Sequence, residues 1–518
     1  MSELPNGWVS TSVDDVCQVV RGITFPTTEK RFEPGAGLIA CLRTANVQAA
    51  VEWDDLWFVP QHFVKNDDQL VLPDDILIST ANSYELVGKV SRVTHTKFHS
   101  TLGAFISLLR AYKGVDAGFL YYQMSSESVQ RSIREMSSTT TNISNVSGAK
   151  LKTLGLLLAP SAEQTRIVAK LEELLTDLDA GVAELKVAQK KLKQYRQSLL
   201  KAAVEGALTA EWRAQHTPSE TGAQLLQRIL TERRARWEAK QLAKFKEQGK
   251  APPKDWQKKY PEPVQPDTTG LPELPLGWVW ASGEQLCVFI TKGTTPPKNL
   301  DISGEKIVPF LRVTNLTDRG ELDLADEVFV SLETHQGFLA RSVVYPDDVL
   351  MNIVGPPLGQ VSVVPSDFPE WNINQAIAIF RAVDGVLPWF ICRYLLSSSA
   401  QRWLKARSKT TAGQTNLTLE VCRSLPFPLP PQDEQKALLL TLEVALSAIV
   451  SEGESIAFGL KQSTAQRHNI LRAAFAGQLV PQDPNDEPAS VLLARIRAER
   501  AAQTAVKKPR ARKQASQE

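Results

Sequence analysis

EQTRIVAKLEELLTDLDAGVAELKVAQKKLKQYRQSLLKAAVEGAL, residues 163–208, reads as one uninterrupted helix. Leu171, Leu178, Leu185, Leu192 and Leu199 recur every seven residues, and Leu174, Gly181, Ala188, Tyr195 and Ala202 stand three further on. A leucine row beside mostly small residues describes a helix packed closely against a second helix along its length. As one helix over 163–205 it spans roughly 65 Å at about 1.5 Å per residue, a rod longer than the core of an ordinary domain requires. The spacing predicts a spacer whose partner is residues 434–480. Shifted by 271, the leucine positions become Leu442, Ile449, Ile456, Ser463 and Ile470, four of the five apolar. LLKAAVEGALT (199–209) returns as ILRAAFAGQLV (470–480), and LAPSAEQ (158–164) as LPPQDEQ (429–435). Pro tolerates the missing amide at a helix start, and the acid suits the positive end of the helix dipole.

The repetition extends beyond the helices. LPNGWV (4–9) returns as LPLGWV (274–279), CLRTANV (41–47) as FLRVTNL (310–316), and LPDDIL (72–77) as YPDDVL (345–350). GKVSRV (88–93) returns as GQVSVV (359–364), and STTTNISNVS (138–147) as KTTAGQTNLT (409–418). One unit is used twice, globular part first and long helix second; the period is far too long for a solenoid. Within each globular part the signals are mixed α/β. Leu70–Leu72, Ile76–Ile78 and Ala104–Leu109 suggest strands bounded by Pro, Asp and Gly, and Phe119–Met136 and Leu387–Leu404 suggest helices. A shorter basic helix is expected at about 222–248, then an extended Pro-rich connector at 251–273. The expected fold is two mixed α/β domains separated by two long antiparallel helices, a pseudo-two-fold tandem pair.

At 518 residues, 43% hydrophobic and 22% charged, the chain has the composition of a soluble multidomain protein. It shows no membrane-length apolar run and no signal-peptide character. Cys17, Cys41, Cys287, Cys392 and Cys422 are odd in number and far apart, which predicts reduced buried thiols and a cytoplasmic protein. No pair has zinc-ligand spacing, and His95 and His99 find Ser366 and Glu370 at the matching positions, so no metal is expected. The net charge is +2, but residues 228–259 carry +7 and residues 495–518 carry +6, leaving −11 for the rest. A nucleic-acid surface on the globular parts must therefore be a local patch.

The order of these motifs, LPxGWV, LRxxNV/L, a Thr-Thr segment with a following Asn, then PxxEQ opening a long helix, resembles the specificity subunit of type I restriction–modification enzymes over nearly the whole chain. The resemblance implies target-recognition domains at 1–160 and 274–431 and spacer helix regions at 161–250 and 432–504; the composition of 505–518 reads as a basic disordered tail. It implies that each recognition domain reads one half of a bipartite double-stranded DNA site. The helices would dock two methyltransferase subunits, with restriction subunits as possible further partners. S-adenosylmethionine and ATP with Mg are then expected on those partners and no cofactor on this chain. The residues agree that the chain is not itself an enzyme. FEPGAG (32–37) has no Gly-rich counterpart at 301–306, no Asp/Asn-Pro-Pro-aromatic string exists, and Gly355–Leu358 lacks both acid and ring. Pro73–Asp75 and Pro346–Asp348 read as turns rather than nuclease acids, and there is no Gly-Lys-Ser/Thr string for an ATPase. A coiled-coil adaptor without DNA recognition is the other reading, favoured by the acidic balance.

Candidate DNA contacts fall in matched sets. Arg21 and Thr24, answered by Lys292, Thr294 and Thr295, combine a cation with hydroxyls around a Gly that permits close backbone approach. Thr139, Thr140, Thr141, Asn142 and Asn145, answered by Lys409, Thr410, Thr411, Gln414 and Asn416, form a second loop of hydroxyl and amide groups suited to phosphates and base edges. Arg43 with Asn46, and Arg312 with Asn315, sit at matched strand ends; they either contact DNA or fix the fold by pairing with a buried acid.

Overall fold

The computed structural model describes residues 4–140, 142–296, 307–411 and 414–507, with backbone only at 411 and 504–507. Thr141, the side chain of Thr411, the 301–306 counterpart of FEPGAG and residues 508–518 of the basic tail lie outside the described residues, while 505–507, expected to be disordered, belong to the helix Ala489–Lys507. The chain separates into two compact units, Met1–Lys186 with Ala457–Glu518, and Val187–Ile456.

In the first unit a four-stranded antiparallel sheet runs in the order Cys17–Arg21, Ile106–Ala111, Ile76–Ser79, Val90–Arg92. Beside it Leu38–Leu42 pairs antiparallel with Trp57–Pro60 and parallel with Ser100–Leu102. Ile76–Ser79 is buried at every position, as a strand covered on both faces must be. Val9–Ser12 pairs with Gly155–Leu158, so the domain's first and last strands close on each other. The second unit repeats the plan: Cys287–Lys292, Ile377–Ala382, Val349–Asn352 and Val361–Val363 form its four-stranded sheet, and Val279–Ser282 pairs with Pro426–Leu429.

The Pro-Asp-Asp turns show why they recur. Asp74 and Asp347 adopt left-handed φ of 69°. The next residue is buried: Asp75 accepts from Arg110 at 2.8 Å, and Asp348 accepts from Arg381 at 2.7 Å. Each acid also accepts the backbone N–H three residues earlier, of Leu72 or Tyr345. Expectation and structure part in three places here. Leu70–Leu72 is not a strand; the Leu72 amide is held by Asp75 instead of a neighbouring strand. Phe119–Met136 and Leu387–Leu404 are each two helices, Ala117–Ser125 with Glu127–Met136 and Pro388–Leu395 with Ser398–Arg407. The break falls at Ser126 and Ser397, whose extended backbone starts the second helix.

The long helices are Ser161–Val204 and Gln432–Phe475, 44 residues each, or about 66 Å. The second stops short of the expected Val480 because Gly477 turns left-handed (φ 68°), as Gly206 does after the first (φ 73°). Ala207 N–H donates to Ala202 O and Gln478 N–H to Ala473 O, both at 2.9 Å, the six-to-one bond of a Schellman cap. In the first unit Leu185 lies against Gly459 and Arg467 pairs with Asp179; in the second Leu192 lies against Gly453. Partner numbers rise as helix numbers fall, so the helices run antiparallel. Leu171, Leu199, Leu442, Ile449 and Ile456 are buried on this seam, with Leu178, Leu185, Leu192 and Ile470 half-buried. The second row holds in part: Leu174, Ala188 and Ala202 are half-buried, whereas Gly181 and Tyr195 are exposed and Leu175, Val182, Arg196 and Ala203, four residues on from the leucines, are also covered. The small residues that permit close packing are Gly453 and Gly459 on the facing helix.

Each unit is completed by helix ends from the other copy. Leu200, Ala203, Leu225 and Ile229 join the core of Trp278, Leu286 and Phe427. Leu492, Leu493 and Ile496, from the Ala489–Lys507 helix, join the core of Val13, Val16 and Cys17. Gly222–Glu247 is the shorter basic helix. The connector is extended but anchored: Val264 N–H donates to Glu284 at 2.9 Å, and its carbonyl accepts from Ser282 Oγ.

Candidate nucleic-acid interface

The Thr-rich segment is a β-hairpin rather than a loop. Ser138–Thr140 pairs antiparallel with Ile143–Asn145, and Asn142 holds φ 72° at the tip, a conformation Asn tolerates. Thr is β-branched and suits a strand. The hairpin is tied to the domain through Ala81–Asn82. Ser138, Thr139, Thr140, Asn142 and Asn145 are exposed, while Ser144 is buried and shares a 2.7 Å hydrogen bond with the Thr139 hydroxyl. In the second unit Lys409–Thr411 pairs with Gln414–Asn416, which pairs with Val354–Gly355. Lys409, Thr410 and Gln414 are exposed and Asn416 half-buried.

Arg21 and Lys292 are exposed at the ends of their strands, with Thr24 and Thr295 exposed just beyond. Gly22 and Gly293 are required by the protein itself. A Cβ on Gly22 would stand 2.1 Å from Gly103 O, and one on Gly293 2.1 Å from Asn374 O. Their close approach is to the adjacent chain segment. Thr295 Oγ1 accepts from Gln375 N–H at 3.2 Å, and Thr294 is half-buried beside Arg341.

In the first unit Arg21, Ser138 and Asn145 line one cleft of about 480 Å³, shared with Thr80, Phe105 and Lys150. Thr24, Arg43 and Asn46 are not on its wall. Lys150 donates to Met136 O at 2.8 Å and Ser138 Oγ at 3.2 Å, fixing the hairpin's base. Phe105 is 66% exposed at the turn before its strand. Neither stood out in the sequence. Lys150 lies five residues past the hairpin, but its counterpart is Val421, so comparing the copies hides it. Lys152, also on the wall, pairs with Asp14 at 3.1 Å.

Arg43 and Arg312 hold exposed acids, Asp55 and Asp326, the latter at 2.6 Å, rather than the buried acid considered as the alternative to DNA. Asn46 and Asn315 are buried. Each accepts its Arg's backbone N–H and donates to loop carbonyls, Asn46 to Glu52 O at 3.0 Å and Asn315 to Asp323 O at 2.8 Å. This arrangement shapes the loop after the strand and occupies both amide groups. All five cysteines are buried free thiols, and burial pushes each of them up from its ordinary range. Among the described residues no cluster of His, Cys, Asp or Glu could hold a metal, and no helix is long and apolar enough to cross a membrane.

The profile of the family described as "Type I restriction modification DNA specificity domain" matches residues 5–186. The EcoKI specificity subunit of Escherichia coli (strain K12), a type I restriction enzyme subunit, is 26% identical over 514 residues, covering 96% of this chain and 97% of that protein. The StySPI specificity subunit of Salmonella potsdam is 24% identical over 517 residues, with 96% of each covered. A solved structure concerning complex assembly and conformational transition of the type I R-M system has a chain that superposes with a TM-score of 0.63 at 17% identity, covering 92% of this chain and all of that one. That likeness carries the fold, and together these matches do not favour the adaptor reading.

Proposed function

We propose, on the premise that the chain belongs to the specificity subunits of type I restriction–modification systems, that each of its domains reads one half of a bipartite duplex DNA site. The first half is read by Arg21 and the Ser138–Asn145 hairpin with Lys150, the second by Lys292 and the Lys409–Asn416 hairpin. The observation that carries this reading is one exposed, hydroxyl- and amide-rich hairpin built at the same place in both domains. Such groups donate to and accept from base edges, while the cations hold phosphates. The long helices set the gap between half-sites, and their outer faces, which leave Leu440 and Val444 about two-thirds exposed, dock methyltransferase subunits. Those partners supply S-adenosylmethionine and the adenine chemistry; restriction subunits add ATP-driven cleavage. This chain makes and breaks no bonds. Five buried thiols fit a reducing cytoplasm.

The test is methylation mapping in cells carrying the chain with its methyltransferase partner. Ala at Thr139, Thr140 and Asn145 together should relax or abolish modification through one half-site and leave the other half unchanged. An unaltered methylated motif in a stably folded variant overturns the assignment.

A further inference from the structure

The first copy carries a projection that its unit's core does not use. The early part of the Gly222–Glu247 helix packs on the domain: Leu225 and Ile229 are buried, and Arg233 donates to Glu284 O at 2.8 Å and Cys287 O at 2.7 Å. Beyond Glu238 the partners change. The chain turns at Gly249 (φ 64°) and returns along the helix. Trp256 stacks on Trp237 with centroids 5.7 Å apart, Tyr260 meets Trp237 edge-on at 5.4 Å, and Phe245 meets Trp256 at 5.9 Å. Four aromatic rings thus zip a helix end to the returning chain, whose Trp256–Lys259 forms a short 3-10 turn. Aromatic pairs of this kind add stability beyond their burial, so the finger has its own source of order.

Its exposed charge is predominantly lysine. Residues 240–259 hold seven Lys against Glu247 and Asp255. Lys258 pairs with Asp255 at 3.3 Å. Lys240, Lys244, Lys246, Lys250, Lys254 and Lys259 are exposed and make no ion pair among the described residues. The arginines of the same helix contrast with them: Arg228, Arg234 and Arg236 face Glu220, Glu238 and Glu232, and Arg233 faces backbone carbonyls. A favourable helix dipole accounts for Lys244 and Lys246 near the helix C-terminus; it does not account for Lys250, Lys254 and Lys259 on the returning chain. Since the chain outside its two basic segments carries −11, long-range attraction to a polyanion must come from such a local patch.

We propose that the finger spanning residues 238–260 is a phosphate-binding arm that grips duplex DNA outside the bases read by the domains. This rests on the function proposed above and adds a second, sequence-blind contact to it. Lysine is a flexible point charge that holds phosphates without reading bases.

The experiment measures duplex binding by the complex with its methyltransferase partner over a range of salt. One variant carries Gln at Lys240, Lys244, Lys246, Lys250, Lys254 and Lys259, and another carries Arg at the same positions. At about 0.9 per neutralised phosphate, the Gln variant should lose roughly 3 to 5 from the slope of log affinity against log salt. Its ratio of target to scrambled-sequence affinity should stay unchanged, and the Arg variant should keep the original slope. Lengthening the duplex beyond the recognition site should strengthen binding by the parent chain and not by the Gln variant. An unchanged slope in the Gln variant overturns the arm. So does unchanged DNA binding with loss of the methyltransferase from the purified complex, which would make the lysines a docking site for an acidic protein surface. A slope that falls while neither protein distinguishes target from scrambled DNA would support the arm and sink the half-site reading.

Discussion

At the scale of single residues, two motifs that lie far apart in the chain are halves of one device. Trp8 donates its indole N–H to Glu163 at 3.0 Å, and Trp278 donates to Glu434 at 2.9 Å, all four residues buried. LPxGWV and PxxEQ are visible in the sequence, but their meeting is not, since 155 residues separate Trp8 from Glu163. The acid of PxxEQ, read there as a partner for the helix dipole, is instead a buried hook for the domain's first strand. The two hooks differ. Glu434 also accepts from Thr209 Oγ1 at 2.6 Å and pairs with Arg213. Glu163 Oε1 is buried without a partner, and Val480 stands where the repeat has Thr209. Burial pushes the Glu163 carboxyl above its usual value of 4.5. Protonated Glu163 therefore stabilises the fold fully below about pH 4.5, and that contribution is lost as pH rises through the raised value. Val480→Thr should supply the missing donor, add about 1 kcal/mol near neutral pH, and flatten this dependence; urea unfolding at acidic and neutral pH reads both. The buried acid of each Pro-Asp-Asp turn is a further vulnerable point. Asp75→Ala should cost about 3 kcal/mol in the same assay, because it leaves Arg110 without its buried partner.

At the scale of elements, the leucine row was legible because a heptad needs only local spacing. Its companion row was legible only in part, because whether the residues three or four positions on are covered depends on the facing helix. That helix presents Gly459, whose added Cβ would lie 3.2 Å from Leu185 Cδ1. Gly459→Leu should overpack the seam by about 1–3 kcal/mol, seen as a lower thermal midpoint. Inserting one heptad between Leu171 and Leu199 should change the gap between half-sites without changing the half-sites; methylome mapping with an unaltered gap would show that the helices do not set it. The hairpins were legible as chemistry but not as structure, since Thr-Thr and Asn suit a turn as well as two short strands. Lys409→Gln should reduce the salt slope of DNA binding by about 1 with the recognised sequence unchanged.

At the scale of the whole molecule, the repeat was plain in the sequence, whereas the exchange of helix ends between copies was not. Periodicity reports that Leu225 and Leu492 are buried without reporting against what. Each unit draws on both copies, so cleavage within residues 250–275 should leave two fragments that co-purify until denaturant is added; separation under native conditions would contradict the exchanged cores. The contact of the last helix with the first domain is also electrostatic. Arg497 at 3.1 Å holds the Asp15 carboxyl below its usual 3.8. Its contribution is complete above about 3.8 and disappears as pH falls through the depressed value, so hydrogen-exchange protection in Ala489–Lys507, taken relative to the intrinsic rate at each pH, should fall under acid. The same exchange of ends imposes an order on synthesis. Leu492, Leu493 and Ile496, which cover Val13, Val16 and Cys17, leave the ribosome about 480 residues after them. At roughly 5–20 residues per second, a nascent first domain waits roughly half a minute to a minute and a half with that apolar face uncovered. Messages truncated before this helix would yield a product prone to capture by chaperones, whatever the quality of its own sheet.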